Sequence, residues 1–231
     1  FVFVSNWIKH VAEADTRCRV TGYDIIPNPI DTARFPYVIK HPEHRTKVLL
    51  IRPFNSRKYA NDIAIDAIKR FSRYPEFGQF QFSIHGRGKL FAPLTKRLAR
   101  FENVSVHEGF LTHAEIRVLH EAHGILLCPT RQDSQGVSMC EAMSSGLVPV
   151  ASNSTAIPEF VEDGRTGFLT RDSEEIVAVL RRLYSDAGLF LRMSKAAAED
   201  IRLRTGADHV VAREMDSLRR AVTDFPGELV P

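Results

Sequence analysis

Two carboxylates eight positions apart, Asp133 and Glu141, flank a turn that contains Ser134, Gly136 and Val137 and runs into a helix-like stretch. Unpaired amides at a helix start favour an anion, usually a phosphate. Gly136 lets backbone approach such a ligand closely. Carboxylates beside it can accept bonds from sugar hydroxyls, and charge-assisted bonds are about twice as strong as neutral ones. The same spacing also suits Asp133 as a helix cap and Glu141 on a wet helix face. A second cluster, Arg52, Arg57 and Lys58, lies within seven positions after the apolar run 48–51. Arginine offers a planar fork for phosphate oxygens and lysine a compact charge. Together they suit a diphosphate and its stabilisation as a leaving group. Taken alone, the cluster also fits a solvated basic loop.

Other chemistries lack their signatures. His85-Gly86-Arg87-Gly88-Lys89 wants the third glycine of a dinucleotide fingerprint, and no GxxxxGK[ST] loop occurs. No GxSxG elbow is present. The nine histidines show no metal-ligand spacing, and His85 reads as a strand-end histidine. Cys18, Cys128 and Cys140 are too scattered for a disulfide framework, which favours a reducing compartment.

The elements that would hold these residues alternate. Buried strands are predicted at 48–51, 80–84, 104–107, 125–128 and 148–151, with a short sixth at 167–169. Between them lie helical faces. Ala64, Ala67, Ile68 and Phe71 form one, with Asn61 as its cap. A stretch 90–98 carries Pro93 near its first turn. Thr112 and Glu115 have capping-box spacing, and Asp172 with Glu175 caps a helix bearing Ile176, Val179, Leu180 and Leu183. Helices near 188–202 and 207–221 follow, and 225–231 reads as a terminus or a crossing segment. Such alternation indicates an α/β fold, a parallel sheet covered on both faces. Ligands of such sheets bind outside the carboxyl ends of the strands.

Composition agrees with a globular chain of one large domain: 231 residues, 44% apolar, 26% charged, net charge +3. No apolar run reaches the ~20 residues of a membrane span. Charge is uneven. Residues 34–100 hold 15 Lys+Arg against 4 Asp+Glu, a local +11, and the remainder carries −8. A basic half suits an anionic partner; its aromatics do not recur as a stacking ladder, so nucleic acid is not expected. The chain opens on Phe1 within an apolar run, which reads as a fragment of a longer protein.

In order, these pieces resemble the C-terminal, nucleotide-sugar-binding half of a GT-B glycosyltransferase of retaining family 4, over nearly the whole chain. Ile26-Pro27-Asn28-Pro29-Ile30-Asp31 looks like the hinge segment PNGVD. Arg52 with Lys58 looks like the diphosphate clamp, and His85-Gly86-Arg87-Gly88 like the G-x-G turn. Pro129-Thr130 through Glu141-Ala142-Met143 looks like the PS-x-x-E-x7-E-A-M motif, continued by Gly146-Leu147-Val148-Pro149-Val150 and by Ile157-Pro158-Glu159 through Gly167-Phe168-Leu169. Four positions and one insertion depart from the pattern, the first being Pro29 in place of the glycine of PNGVD. Asp133 replaces a glutamate, Gln135 a phenylalanine and Ile51 a glycine, and one extra residue separates Arg52 from Lys58.

The resemblance implies that residues 1–30 end an acceptor domain and hinge, that 31–200 form a Rossmann-like donor domain, and that 201–231 are a C-terminal helix and tail. It implies catalytic roles for Arg52 and Lys58 on the diphosphate and for Asp133 on hydroxyls of the transferred sugar. It implies that Gly86 and Gly88 would belong to the donor site. Phe110 and Leu111, after Gly109, would lie near the base. Ser134, Gly136 and Val137 would face the distal phosphate and sugar, and Glu141 the ribose. The implied reaction is hexosyl transfer with retention from a nucleotide-diphosphate sugar to a glycan or lipid-linked acceptor. It needs no metal and no cofactor. The implied location is the cytoplasm or the inner face of a membrane, which the basic half would contact peripherally. A GT-B-like module that binds nucleotide sugar or glycan without catalysis, and a nucleotide-sugar epimerase, stay open beside it.

Overall fold

The computed structural model describes residues 1–224, so the stretch 225–231 lies outside the described residues. A six-stranded, wholly parallel sheet forms the body. Its strands are β3 (Lys47–Ile51), β4 (Gln81–Gly86), β5 (Val104–Glu108), β6 (Ile125–Cys128), β7 (Val148–Ser152) and β8 (Phe168–Thr170). Their order across the sheet is β5-β4-β3-β6-β7-β8. The order reverses between β3 and β6, and this switch point is where such sheets open a crevice at their carboxyl ends.

The strands read as continuous apolar runs because both faces are covered. Side chains alternate across the sheet. Val48, Leu50, Ile125, Leu127, Val148 and Val150 face one core, shared with α2 (Asn61–Phe71) and α6 (Ser173–Ser185). Leu49, Leu126, Cys128 and Ala151 face the other, shared with α5 (Val137–Ser144) and α7 (Ala187–Thr205). Each fully buried Leu, Ile or Phe is worth about 1.5–3 kcal/mol, which makes the central strands the firm platform for the loops at their ends.

The helix signals mostly hold. Thr112 and Glu115 form the expected capping box of α4 (His113–Ala122), each side chain accepting from the other's backbone amide. Asp172 caps α6 through the amides of Glu174 and Glu175, while the Glu175 carboxylate turns back to Arg171. The cap of α2 differs from expectation. Ala60, with φ 49°, precedes the helix, and Asn61 is its first residue. The Asn61 amide instead donates to the Pro53 carbonyl at 2.8 Å, because the left-handed turn at Ala60 points it across the loop. The helix expected over 90–98 is short, α3 (Phe91–Thr95), continued by a 3-10 turn.

The first residues stand apart from this sheet. β1 (Val2–Phe3) and β2 (Asp24–Ile25) form a two-stranded parallel pair joined by α1 (Asn6–Thr16). α8 (Ala207–Asp224) packs back on the pair: Arg213 donates to the Ile25 carbonyl, and Ser217 and Arg220 both meet Asp24. Between the pair and β3, Ile30 is anchored at the α7–α8 junction through the Thr205 carbonyl and the Ala207 amide.

Candidate functional site

The loops after β3, β4, β5 and β6 converge at the carboxyl edge and are stitched to one another. Gly86 and Gly88 permit this. A Cβ on Gly86 would lie 2.1 Å from the Arg52 carbonyl oxygen, and one on Gly88 would lie 2.2 Å from the Asn55 side chain. The Gly109 amide in turn donates to the Gly86 carbonyl. The loop of Lys58 is tied to the β6 loop, since the Arg131 amide and the Thr130 hydroxyl both donate to the Lys58 carbonyl. Arg131 grips Asp62 through both guanidinium ends, at 2.7 and 2.8 Å.

Inside this frame, Lys58, Asp133 and Ser134 line one cavity of about 360 Å³ together with Tyr59, Gln132, Trp7 and Ile8. Lys58 is exposed, and its ammonium lies 5.0 Å from the Tyr59 ring centre. Arg52 is buried to 5% exposure. It reaches Asp133 Oδ2 at 3.5 Å and the Cys128 carbonyl at 3.3 Å, and its Nε has no partner among the described residues. A guanidinium with five donors and two long bonds keeps capacity for an anion.

Asp133 is already engaged. Its Oδ1 accepts the amides of Gln135 at 3.2 Å and Gly136 at 2.7 Å, while Oδ2 faces Arg52. The helix-capping role that spacing allowed is not filled: Gly136 precedes the first helical residue without a side-chain cap, and Asp133 instead accepts amides of the turn before it. Gly136, at φ 77°, turns the chain into α5. The amides of Val137 and Ser138 have no acceptor among the described residues. They form an open helix start, with the positive end of the helix behind it.

Glu141 stands on the same helix but does not line that cavity. Burial pushes its carboxyl up to about 7, with Arg34 nearby opposing the rise, and it makes no hydrogen bond among the described residues. Phe110 is 78% exposed and carries the Arg87 guanidinium 4.5 Å from its ring centre, with Leu111 half-buried beside it. His85 bonds the Ser83 hydroxyl at 2.8 Å and stacks on His107, and burial followed by that neighbour pulls it down to about 4. Among the described residues no group of three or more His, Cys, Asp or Glu side chains gathers as a metal-ligand set. Nor is any described helix long and apolar enough to cross a membrane.

Sequence reasoning missed four contributors. Trp7 and Ile8 reach the cavity from α1, whose N-terminus is held by the Glu159 carboxylate through the amides of Asn6 and Trp7. Tyr59 follows Lys58 directly, and only that position marked it. Gln135 is 1% exposed and bonds Asn28, 107 positions away, which no local pattern reveals.

Comparison with known proteins places this arrangement. A sulfoquinovosyl transferase of Arabidopsis thaliana is 33% identical over 101 residues, covering 42% of this chain and 20% of its own length. An amylovoran biosynthesis glycosyltransferase, AmsK of Erwinia amylovora, is 27% identical over 176 residues, covering 72% of this chain and 43% of its own. The chain thus spans less than half the length of these curated relatives. The crystal structure of Anabaena HepE with UDP-glucose superposes with a TM-score of 0.78 at 18% identity, over 95% of this chain and 63% of that one. That likeness shows the fold, the Rossmann-like α/β half of a GT-B structure. The glycosyl transferases group 1 profile matches residues 45–186, from the start of β3 to the end of α6 and across every loop of the site; the chain belongs to that family.

Proposed function

We propose that this chain is the donor-binding half of a glycosyltransferase that takes a nucleotide-diphosphate sugar and passes its hexosyl group, with retention, to a glycan or lipid-linked acceptor. The observation that carries the reading is the meeting of Lys58, Asp133 and Ser134 at one cavity beside the open amides of α5. A diphosphate there would have Lys58 as a point charge and the Val137 and Ser138 amides as oriented donors. Arg52 would supply charge from behind Asp133. Such groups act by stabilising the charge that builds on a departing nucleotide diphosphate, with no covalent chemistry of their own. Glu141 and the Arg87–Phe110 pair would serve the nucleoside end. HepE, which shares the fold, has been crystallised with UDP, with UDP and glucose, and with UDP-glucose. Reaction with an acceptor would need the length that the relatives have beyond this chain.

Titrating the chain with UDP, GDP and ADP, and with their glucose derivatives, tests the proposal. Binding of at least one of them below millimolar concentration is expected, and binding of none overturns it. One observation favours the second reading, a module that binds without catalysis: both oxygens of Asp133 are occupied before any sugar arrives. Donor hydrolysis by the full-length protein, abolished by Lys58→Ala, would remove that reading.

A further inference from the structure

Gln135 sits inside the loop that would face the donor, yet its side chain points away from it. Its orientation is fixed by partners that can bond in only one sense. Gln135 Nε2 donates to the Asn28 carbonyl at 3.0 Å, and Gln135 Oε1 accepts the Asn28 amide at 2.7 Å. The Asn28 side chain adds a third bond to Oε1 at 2.9 Å. Asn28 belongs to the segment that joins the β1–β2 pair to the main sheet. On the other side, the Gln135 amide and the Gly136 amide both donate to Asp133 Oδ1. One buried side chain therefore spans from the connecting segment to the turn that opens α5.

We infer that Gln135 is a positioning residue: its paired bonds to Asn28 lock the 133–136 turn in the conformation that leaves the Val137 and Ser138 amides open. The inference rests on the proposed function for its effect on the donor, but the lock itself belongs to the free chain. A buried amide whose partners are backbone groups is expensive to remove, because the Asn28 amide and carbonyl would be left unpaired. Leucine at 135 keeps the volume and removes all three bonds. Glutamate keeps the acceptor for the Asn28 amide but sets a carboxylate oxygen against the Asn28 carbonyl. Protonation restores the donor, so Gln135→Glu is a lock that acid closes. The titratable and charged groups around position 135 are Asp133 in its own loop, paired with Arg52, and the Cys140 thiol, with Arg204 and Glu141 beyond the thiol; Glu141 titrates in the unsubstituted chain too, so the comparison at equal pH removes it.

The test uses the 231-residue chain and three probes, UMP, UDP and UDP-glucose, by calorimetry at pH 5 and pH 8. Each variant is compared with the unsubstituted chain at the same pH. Gln135→Leu should weaken UDP and UDP-glucose about tenfold, one net hydrogen bond of ~1.4 kcal/mol, and leave UMP within twofold. Gln135→Glu should show the same loss at pH 8 and recover at pH 5. Exchange of the Gly136 amide, which donates to Asp133 Oδ1, should quicken in the free chain of Gln135→Leu. Equal weakening of all three probes would mark a merely structural role and overturn the inference, as would unchanged exchange. Should the unsubstituted chain bind no probe, the proposed function falls, while the exchange measurement still decides the lock.

Discussion

Arg52 and Asp133, 81 positions apart, form a 3.5 Å ion pair where β3 and β6 part at the switch point of the sheet. The pair sets a competition. An incoming diphosphate would meet a guanidinium whose charge is already answered, and a carboxylate that repels it. Asp133→Asn keeps an oxygen for the Gly136 amide and deletes the negative charge. It should tighten UDP by roughly fivefold, since one screened unit charge a few ångströms away is worth about 1 kcal/mol. Transfer by the full-length protein should slow in the same variant, because on the proposed function the sugar would lose a charged acceptor. Calorimetry and a transfer assay on one preparation check both directions.

Lys58 differs from Arg52 in being free to respond. It is exposed, and its ammonium has no ion-pair partner among the described residues. Lys58→Ala should therefore leave the melting temperature unchanged, while affinity for UDP falls about 10- to 100-fold, as for loss of one bond to a charged group. A parallel drop in melting temperature would mean that the lysine supports the fold instead.

The sheet was legible because a strand buried on both faces must be apolar throughout, and 48–51, 125–128 and 148–151 are. The capping box at Thr112 and Glu115 was legible for the same local reason. What escaped was long-range. Val2–Phe3 and Asp24–Ile25 are too short to carry a period, and they exist because they pair with each other. The cap at Asn61 failed because Ala60 takes the left-handed turn, a choice set by the loop closing on Pro53. Asp133 and Lys58 could be named from type and spacing, but Trp7 and Gln135 could not, since their roles arise only when distant segments meet.

Gly86 offers a test of how tightly the loops are stacked. A methyl group there would lie 2.1 Å from the Arg52 carbonyl oxygen and 2.8 Å from the Phe54 ring. Neither is a flexible chain end, so the β3 and β4 loops must separate. Gly86→Ala should cost about 1–3 kcal/mol of unfolding free energy, as overpacking does, measured by urea denaturation. Because Arg52 moves with its backbone, UDP affinity should fall in the same variant. Gly78, which would meet nothing within 4 Å, serves as the control.

Glu141 should make stability, and on the proposed function binding too, depend on pH near neutrality. Its carboxyl is raised to about 7 in the fold, chiefly by burial, against about 4.3 in an unfolded chain. Below the lower value both states hold the proton, and nothing is lost. As pH rises toward 7 the unfolded chain releases its proton while the folded one keeps it, so folding weakens, and above 7 the buried charge carries its full penalty. Glu141→Gln removes this term and should raise the melting temperature at pH 8 by a few degrees while leaving it unchanged at pH 4. Ribose hydroxyls would donate best to the ionised form, so affinity of the unsubstituted chain for UDP-glucose, whose diphosphate does not titrate in this range, should increase from pH 6 to pH 8. That slope should vanish in Glu141→Gln. Thermal melts and calorimetry across this range check both halves, and a slope that persists in the variant would place the ribose elsewhere.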